Sequence, residues 1–430
     1  MVARADVAAS GAYRAVERSP MLGEAGDVVA RAGTTAEGER VPREGSGSSR
    51  DPRRQVDEPA GRGRVLRLWL CGDVMPGRGV DQILRYPGNP ALREPHLTDA
   101  RGYVELAEAV AGPIPRPVDD AWPWGEALAA LRMAQPDVGV LNLETSITRS
   151  GRFASGKDVH YRMSPDNLGC VAVAEPDVCA LANNHVLDFG REGLEETLEV
   201  LSSAGLAVAG AGRDREAAWQ PAVVPLDGGG RVLVFAMGAV SSGVPSSWAA
   251  TRHRPGVAVL DDDLDVAAAA VLERVQRWRR PEDRVVASVH WGSNWGYEVP
   301  PAQVRFAHAL VDGGVDVVHG HSSHHPRPVE VHRDRPILYG CGDLINDYEG
   351  IGGREAYRSD LRLLYLVDLE RHTGELLGLR MLPLQARRLR LETAEDADIA
   401  WLRAVLDRIS RPHGTRVVLA PHGHLALDRS

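Results

Sequence analysis

Short runs rich in valine and leucine alternate along this chain with stretches whose apolar residues recur every three or four positions. The runs read as strands and the stretches as amphipathic helices, and their alternation predicts an α/β fold. Val65 to Leu70 is the first predicted strand, closed by Gly72-Asp73. DVGVLNLET, DVCALANNH, a short piece from Leu206 to Ala209, RVLVFAMG, VVASVH and VDVVHGH follow as further strands. Helices are predicted from about Gly125 to Met133, over GREGLEETLEVLSSAGL, from Leu264 to Trp278 and over PAQVRFAHALVDGG. In the second of these Leu194, Leu198 and Leu201 share a face; in the last, Val304, Ala307 and Val311 do. PILYGCGDLINDY reads as one more strand with Gly342-Asp343 and Asn346-Asp347 at its end, and LRLLYLVDLE with GELLGLRMLPLQ as a closing hairpin.

These elements place one domain over residues 63–386. Residues 387–430 hold one helix (Asp396 to Ile409) and a short apolar run, and read as an outer layer or helical tail. Residues 1–62 are small, charged and almost free of large apolar side chains, so they bury too little to offset their ordering entropy and are expected to be disordered. Two long excursions, one after the first strand and one from Ser241 to Pro255, interrupt the pattern.

Composition narrows the class. The chain has 430 residues, 43% hydrophobic, with a formal charge of −9 and neither basic stripe nor aromatic ladder, which argues against a nucleic-acid partner. No run approaches the roughly 18 apolar residues of a membrane span, and the N-terminus has no apolar signal core, so a cytoplasmic protein is expected. Lys157 is the only lysine, which removes most Schiff-base chemistry. Cys71, Cys170, Cys179 and Cys341 lie in or beside apolar runs without C-x-x-C spacing and read as buried thiols.

The histidines carry the chemistry. Seven of the 15 lie between His290 and His332, several at strand ends. In a parallel sheet those ends gather at one edge, where α/β proteins build their sites. Five strand ends deliver Asp73, Glu144, Asn184 with His185, His290, and His321 with His324. Carboxylate, amide oxygen and imidazole together suit a divalent Mn, Fe or Zn ion, and a shared carboxylate would permit two. His185 stands where a proton donor to a leaving group is needed, and Arg78 is placed to hold an anionic group of the substrate. His319 is expected in the opposite layer, and Asp188 as a cap of the following helix. Asp343 and Asp347 are candidates for orienting histidines. Trp291, Trp295, Tyr297 and Glu298 either line an entrance or pack. No G-x-S-x-G elbow or G-x-x-x-x-G-K-[ST] loop occurs.

GDVMPGR (72–78), NLE (142–144), ANNHVLDFG (182–190), HWG (290–292) and GHSSHHPRPVE (320–330) together resemble the CapA family of poly-γ-glutamate capsule-biosynthesis proteins. That family shares the calcineurin-like metallophosphoesterase fold, so the resemblance implies a four-layer α/β/β/α sandwich. It also implies Asp73 as a first-metal ligand and Glu144 as a bridging acid. Asn184, His290 and His321 would hold the second metal, His324 would return to the first, and His185 would be the general acid. Two features depart from the metallophosphoesterase pattern: Met75 stands where D-x-H has its histidine, and G-H-x-H has become Gly320-His321-Ser322-Ser323-His324. The expected activity is a metal-dependent hydrolase or transferase, with one or two ions, on a phosphate ester or a poly-γ-glutamate or peptide substrate. The alternatives are a metal-dependent peptide epimerase and a non-catalytic partner of capsule-assembly proteins.

Overall fold

The computed structural model describes residues 64–428, which belong to one compact unit; the disorder expected over residues 1–62 lies outside them. Two large sheets organise the chain. The ten-stranded sheet runs, from one edge, Arg416–Leu419, Leu425–Asp428, Leu376–Ala386, Leu361–Glu370, Val65–Val74, Val138–Leu143, Val178–Ala180 and Ala207–Ala209. Its last four strands are parallel, while Leu361–Glu370 and the strands beyond it pair antiparallel. Asp343–Ile345 adds to the end of Val65–Val74, and Leu391–Thr393 to Leu376–Ala386. The six-stranded sheet runs Val329–His332, Arg335–Leu338, Val317–His321, Arg284–His290, Arg231–Gly238 and Ala222–Pro225, with a parallel centre and antiparallel outer strands.

Side-chain alternation along Arg231–Gly238 shows how the layers form. Val232, Val234 and Ala236 join the large core that contains Leu66, Leu68 and Leu70 of the other sheet. Leu233, Phe235 and Met237 instead join a second core with Val271 and Val275 of helix Leu264–Trp278 and Phe306 and Leu310 of helix Pro301–Asp312. A strand turns successive side chains to opposite faces, so this one sheet is covered on both, by a sheet and by helices. Leu128 and Leu131 of helix Ala127–Ala134, with Leu194, Leu198 and Leu201 of helix Gly190–Ser203, are buried with the ten-stranded sheet. The predicted α/β/β/α layering is thereby present.

Three elements differ from expectation. PILYGCGDLINDY is two strands: Arg335–Leu338 belongs to the six-stranded sheet and Asp343–Ile345 to the ten-stranded one. The chain crosses between sheets over residues 339–342, and Gly342 takes a φ of +76° that favours glycine. The excursion after the first strand contains a helix, Arg101–Ala111, which buries Tyr103, Val104 and Ala107; flanking proline and glycine hid it from pattern reading. The stretch from residue 387 is more than a tail with one helix, because Leu425–Asp428 pairs with Leu376–Ala386 and brings Arg416–Leu419 with it. The four cysteines are buried and free, as read.

Asp407, on helix Asp396–Ser410, fastens that C-terminal stretch. It accepts from Arg411 Nη2 (2.5 Å), Arg416 Nε (2.8 Å) and the Val417 N–H (3.1 Å). Burial alone would raise its carboxyl, but the hydrogen bonds from Arg416 and Arg411 outweigh it and hold the group at about 2. A depressed carboxyl contributes stability above its unfolded pKa of about 4, lost as pH falls through the folded value. Both arginines are more than half exposed, so solvent screening discounts the pair. Asp407→Asn is expected to cost about 1 kcal/mol at pH 7 and to differ little from the parent at pH 2, as measured by urea unfolding.

Candidate metal centre

The ends of parallel strands from both sheets meet at one edge. His290 and His321 are the last residues of adjacent strands and lie opposite each other in register. Their Nδ1 atoms are 2.8 Å apart, and Asp73 Oδ1 lies 4.0 Å from the first and 3.9 Å from the second. His290 turns its Nε2 toward Asn184 Oδ1 (3.2 Å) and Glu144 Oε1 (3.9 Å). Ser288 Oγ stands 2.9 Å from His321 Nε2 and 3.1 Å from His319 Nδ1. His319 therefore shares the His321 face rather than lying in the opposite layer, because residues two apart on a strand point the same way. Its Nε2 reaches the Cys71 carbonyl at 2.7 Å and ties the two sheets just below the site.

Asp73 is delivered by a bulge. Cys71 pairs with Leu141 and Asp73 with Asn142, so Gly72 is an extra residue in the ladder. A Cβ at Gly72 would sit 1.7 Å from the Gly342 carbonyl. Only glycine permits this approach, which sets Asp73 beside Asp343 in register. Asp343 Oδ1 is 2.9 Å from His324 Nδ1, and its Oδ2 accepts from Asn346 at 2.6 Å. Among the described residues, two trios at this edge have donor atoms within 4.8 Å of one another: Asp73, His290 and His321, and Asp73, His324 and Asp343. Asp73 is common to both. Glu144, expected as the bridging acid, lies outside both trios but close to His290 and to His185 Nε2 (3.8 Å).

The electrostatics follow from burial. Desolvation, reinforced by Asp343 and opposed by His324, pushes the Asp73 carboxyl up to about 7. Burial and then Asp73 raise Glu144 well above the usual range. Burial holds His290 and His321 neutral, which leaves their nitrogens available as ligands. His324 is raised despite burial, because Asp343 outweighs it. Three buried carboxylates with the neutral imidazoles of His290 and His321 form a donor set that fits a divalent cation. Met75 is buried, and its thioether would be a poor ligand for a hard ion; Asp343 offers an oxygen beside the same carboxylate.

His185 is held by a group assigned elsewhere from sequence. Asp188 does not cap helix Gly190–Ser203, which has no side-chain cap; its Oδ2 lies 2.6 Å from His185 Nδ1 and accepts from the Tyr161 N–H at 2.7 Å. Asp188 Oδ1 accepts from Lys157 Nζ at 2.5 Å, and Lys157 also donates to the Asn184 carbonyl. Burial lowers His185 to about 4, with Asp188 opposing. Asn142 donates to Asp73 (2.7 Å) and Glu144 (3.2 Å), and Asn183 holds the turn by accepting from the His185 and Val186 N–H groups. Asn142 opens the NLE motif, whereas Lys157 stands out in the sequence only as the solitary lysine among 50 basic residues.

Arg78 stands behind the Tyr161 ring, which lies 4.7 Å from that of His185. Its guanidinium pairs with both oxygens of Asp347, bonds Glu94 (2.8 Å) and Tyr103 (3.1 Å), and stacks on the rings of Tyr103 and Tyr161. Those bonds occupy the donors with which it was expected to hold substrate, and Asp347 serves Arg78 rather than a histidine. Trp291 packs in the second core against Phe306 and Tyr339. Trp295 lies 5.4 Å from His324, and with Tyr297 and Tyr357 it surrounds His325.

Fold and site together define a two-sheet α/β sandwich with a buried histidine–carboxylate cluster where strands of both sheets end. Residues 67–348 match the family model for the bacterial capsule synthesis protein PGA_cap, and the chain belongs to that family. It is 54% identical, over 86% of its length and 97% of the relative's, to a "probable polyglutamine synthesis accessory protein" of Mycobacterium tuberculosis. It is 25% identical to the "capsule biosynthesis protein CapA" of Bacillus anthracis over 66% of this chain and 60% of that one. With the "PGA biosynthesis protein CapA" of Bacillus subtilis it shares 23% identity over 66% and 64%. A solved phosphatase from Mycoplasma pneumoniae superposes with a TM-score of 0.41 at 10% identity, over 75% of this chain and 94% of that one. No helix among the described residues is long and apolar enough to cross a membrane.

Asp188→Ala removes the acceptor of His185, Lys157 and the Tyr161 N–H together. It is expected to cost about 3 kcal/mol, read as a lower denaturant midpoint, whereas Asp188→Asn keeps one acceptor and costs less.

Proposed function

We propose that this protein is a metal-dependent hydrolase or transferase acting on an anionic substrate of the phosphate-ester or γ-glutamyl-peptide class. The observation that carries the reading is the pair of donor trios meeting at Asp73. Asp73, His290, His321 and the Asn184 amide oxygen would hold one ion, and Asp73, His324 and Asp343 another, with Mn, Fe or Zn the divalent ions these donors suit. A bound divalent ion supplies an acidified water and neutralises charge on the group attacked.

The protein's own groups do the rest. His185 faces the cluster through Nε2, near Glu144, while Asp188 fixes its Nδ1; this orients one nitrogen to give a proton to a leaving atom or take one from water. Lys157 holds Asp188 and the Asn184 carbonyl, so the turn bearing both Asn184 and His185 is tied at two points. Behind the Tyr348 ring, 5.1 Å from that of His324, lies a cleft of about 520 Å³. Arg358, Arg362 and Arg387 line it with Glu349, Glu355, Asp360, Glu395 and Asp398, and Arg358 is paired with Asp360 and Asp398, so the acidic side chains in excess favour an amine-bearing part of a substrate. The polyglutamine and capsule names of the relatives agree with a glutamyl polymer or its precursor as that substrate.

Asp73→Asn is expected to lower the metal content per chain, measured by elemental analysis, and to abolish turnover. His185→Gln should keep the metal and lose about 10²–10⁴-fold in rate. Assay against phosphate esters and γ-glutamyl peptides separates the two substrate classes. Metal content unchanged in Asp73→Asn would sink the proposal, and solvent deuterium entering a peptide α-position without hydrolysis would replace it by epimerisation.

A further inference from the structure

The histidine-rich stretch ends in residues that the site at the strand ends does not use. Glu330 and His332 lie on the edge strand Val329–His332 of the six-stranded sheet. Register separates them from that site: Glu330 pairs with Ile337 and Ile337 with Val318, three residues before His321 along its strand, so Glu330 lies two strands further out. His308, from helix Pro301–Asp312, faces the same strand.

These three side chains converge. His308 Nε2 lies 2.7 Å from Glu330 Oε1, and the rings of His308 and His332 stack with centroids 4.0 Å apart and planes 7° from parallel. Each of the three offers a donor atom within 4.8 Å of the others. Two further groups close the cluster: His332 Nε2 is 2.9 Å from Asp312 Oδ1, and His413 Nδ1 is 3.5 Å from Glu330 Oε2. Tyr339 donates to that same Glu330 oxygen at 2.6 Å and fixes the carboxylate. Glu330 is buried, whereas His308 and His332 are about a quarter to a third exposed, so an ion reaches the cluster from solvent.

We propose that His308, Glu330 and His332 form a second, separate metal site, taking Zn²⁺ with Asp312 or His413 as the fourth donor. Two imidazoles and a carboxylate are a donor set zinc favours, in a four-coordinate arrangement. The stacking keeps the His308 and His332 nitrogens beside the Glu330 carboxylate, and one ring turns out of parallel when both serve one ion, since each lone pair lies in its ring plane. The ligands come from a helix, an edge strand and the turn at Arg411–His413 that leads into the last two strands. With His413 as the fourth donor, an ion there is a staple that joins the C-terminal stretch to the edge strand of the six-stranded sheet.

The test uses the full chain, stripped with chelator and titrated with Zn²⁺, read by elemental analysis and thermal unfolding; Co²⁺ serves as a spectroscopic stand-in. His332→Ala is expected to hold one ion fewer than the parent, whatever number the strand-end cluster holds, and to lose several degrees of zinc-dependent gain in Tm. Asp73→Asn should keep that ion, that gain and a tetrahedral Co²⁺ absorption band. Equal ion counts and equal zinc gains in His332→Ala and the parent would overturn the proposal. Should either variant fail to fold, His308→Gln against the parent gives the same comparison. The outcome is independent of the reaction assigned above, since Asp73→Asn and His332→Ala fail separately.

Discussion

Three carboxylates, Asp73, Glu144 and Asp343, are desolvated together, and the architecture around them is a response to that charge. A lone carboxylate moved into a protein interior either neutralises or finds partners, because the unpaired ion is prohibitively costly there. Both routes are visible. Asp73 is driven toward its protonated form, and Asn142 bonds both Asp73 and Glu144 with one amide. His324 and Asn346 divide the two oxygens of Asp343. His290 and His321, held neutral by burial, bring no positive charge to these carboxylates, and a divalent cation bound among them would supply it.

Bringing those groups together requires backbones to meet at less than ordinary strand spacing. Gly72 supplies the contact by having no Cβ, and Gly342 by adopting a positive φ as the chain passes from one sheet to the other. The crossing matters because it turns one apolar segment into two strands, one per sheet, and so carries Asp343 from the six-stranded side to the Asp73 side. Ser322 completes the junction with a φ of +97°, rare for a residue with a side chain, and its N–H points at Asp73 Oδ2 from 3.2 Å. Strain of this kind persists where the surroundings over-determine the backbone. Here it lies between His321 and His324, where the chain carries one residue more than the G-H-x-H spacing.

The strands and helices with strong periodicity, and the strand-end residues Asp73, Asn184, His185, His290, His321 and His324, could be read from sequence because period and punctuation are local properties. The elements missed depend on distant chain. Helix Arg101–Ala111 sits among prolines and glycines that dilute its pattern, and the strand pair after residue 415 exists because Leu376–Ala386 offers an edge to it. Asp188 two positions before a helix has the local look of a cap. Its actual partners, Lys157 and the Tyr161 N–H, come from a loop about 30 residues earlier. His319 is a different case: strand alternation, correctly applied, puts it on the His321 face, where Ser288 joins the two rings.

Arg78 shows how a buried cationic residue near a carboxylate cluster fastens the strand ends that carry it. It follows the Asp73 strand, Asp347 follows the Asp343 strand, and the bidentate pair between them fastens the two strand ends that carry the shared and the flanking carboxylate. Glu94 and Tyr103, from the excursion after the first strand, add to the same guanidinium. A buried ion pair of this kind contributes little net stability, since desolvation offsets its attraction. Its value is geometric: the planar fork accepts one arrangement of its partners and rejects others. The excursion, which looked from sequence like a loose insertion, is thus anchored to the strands that set the distance between Asp73 and Asp343, the separation on which a two-ion site would depend.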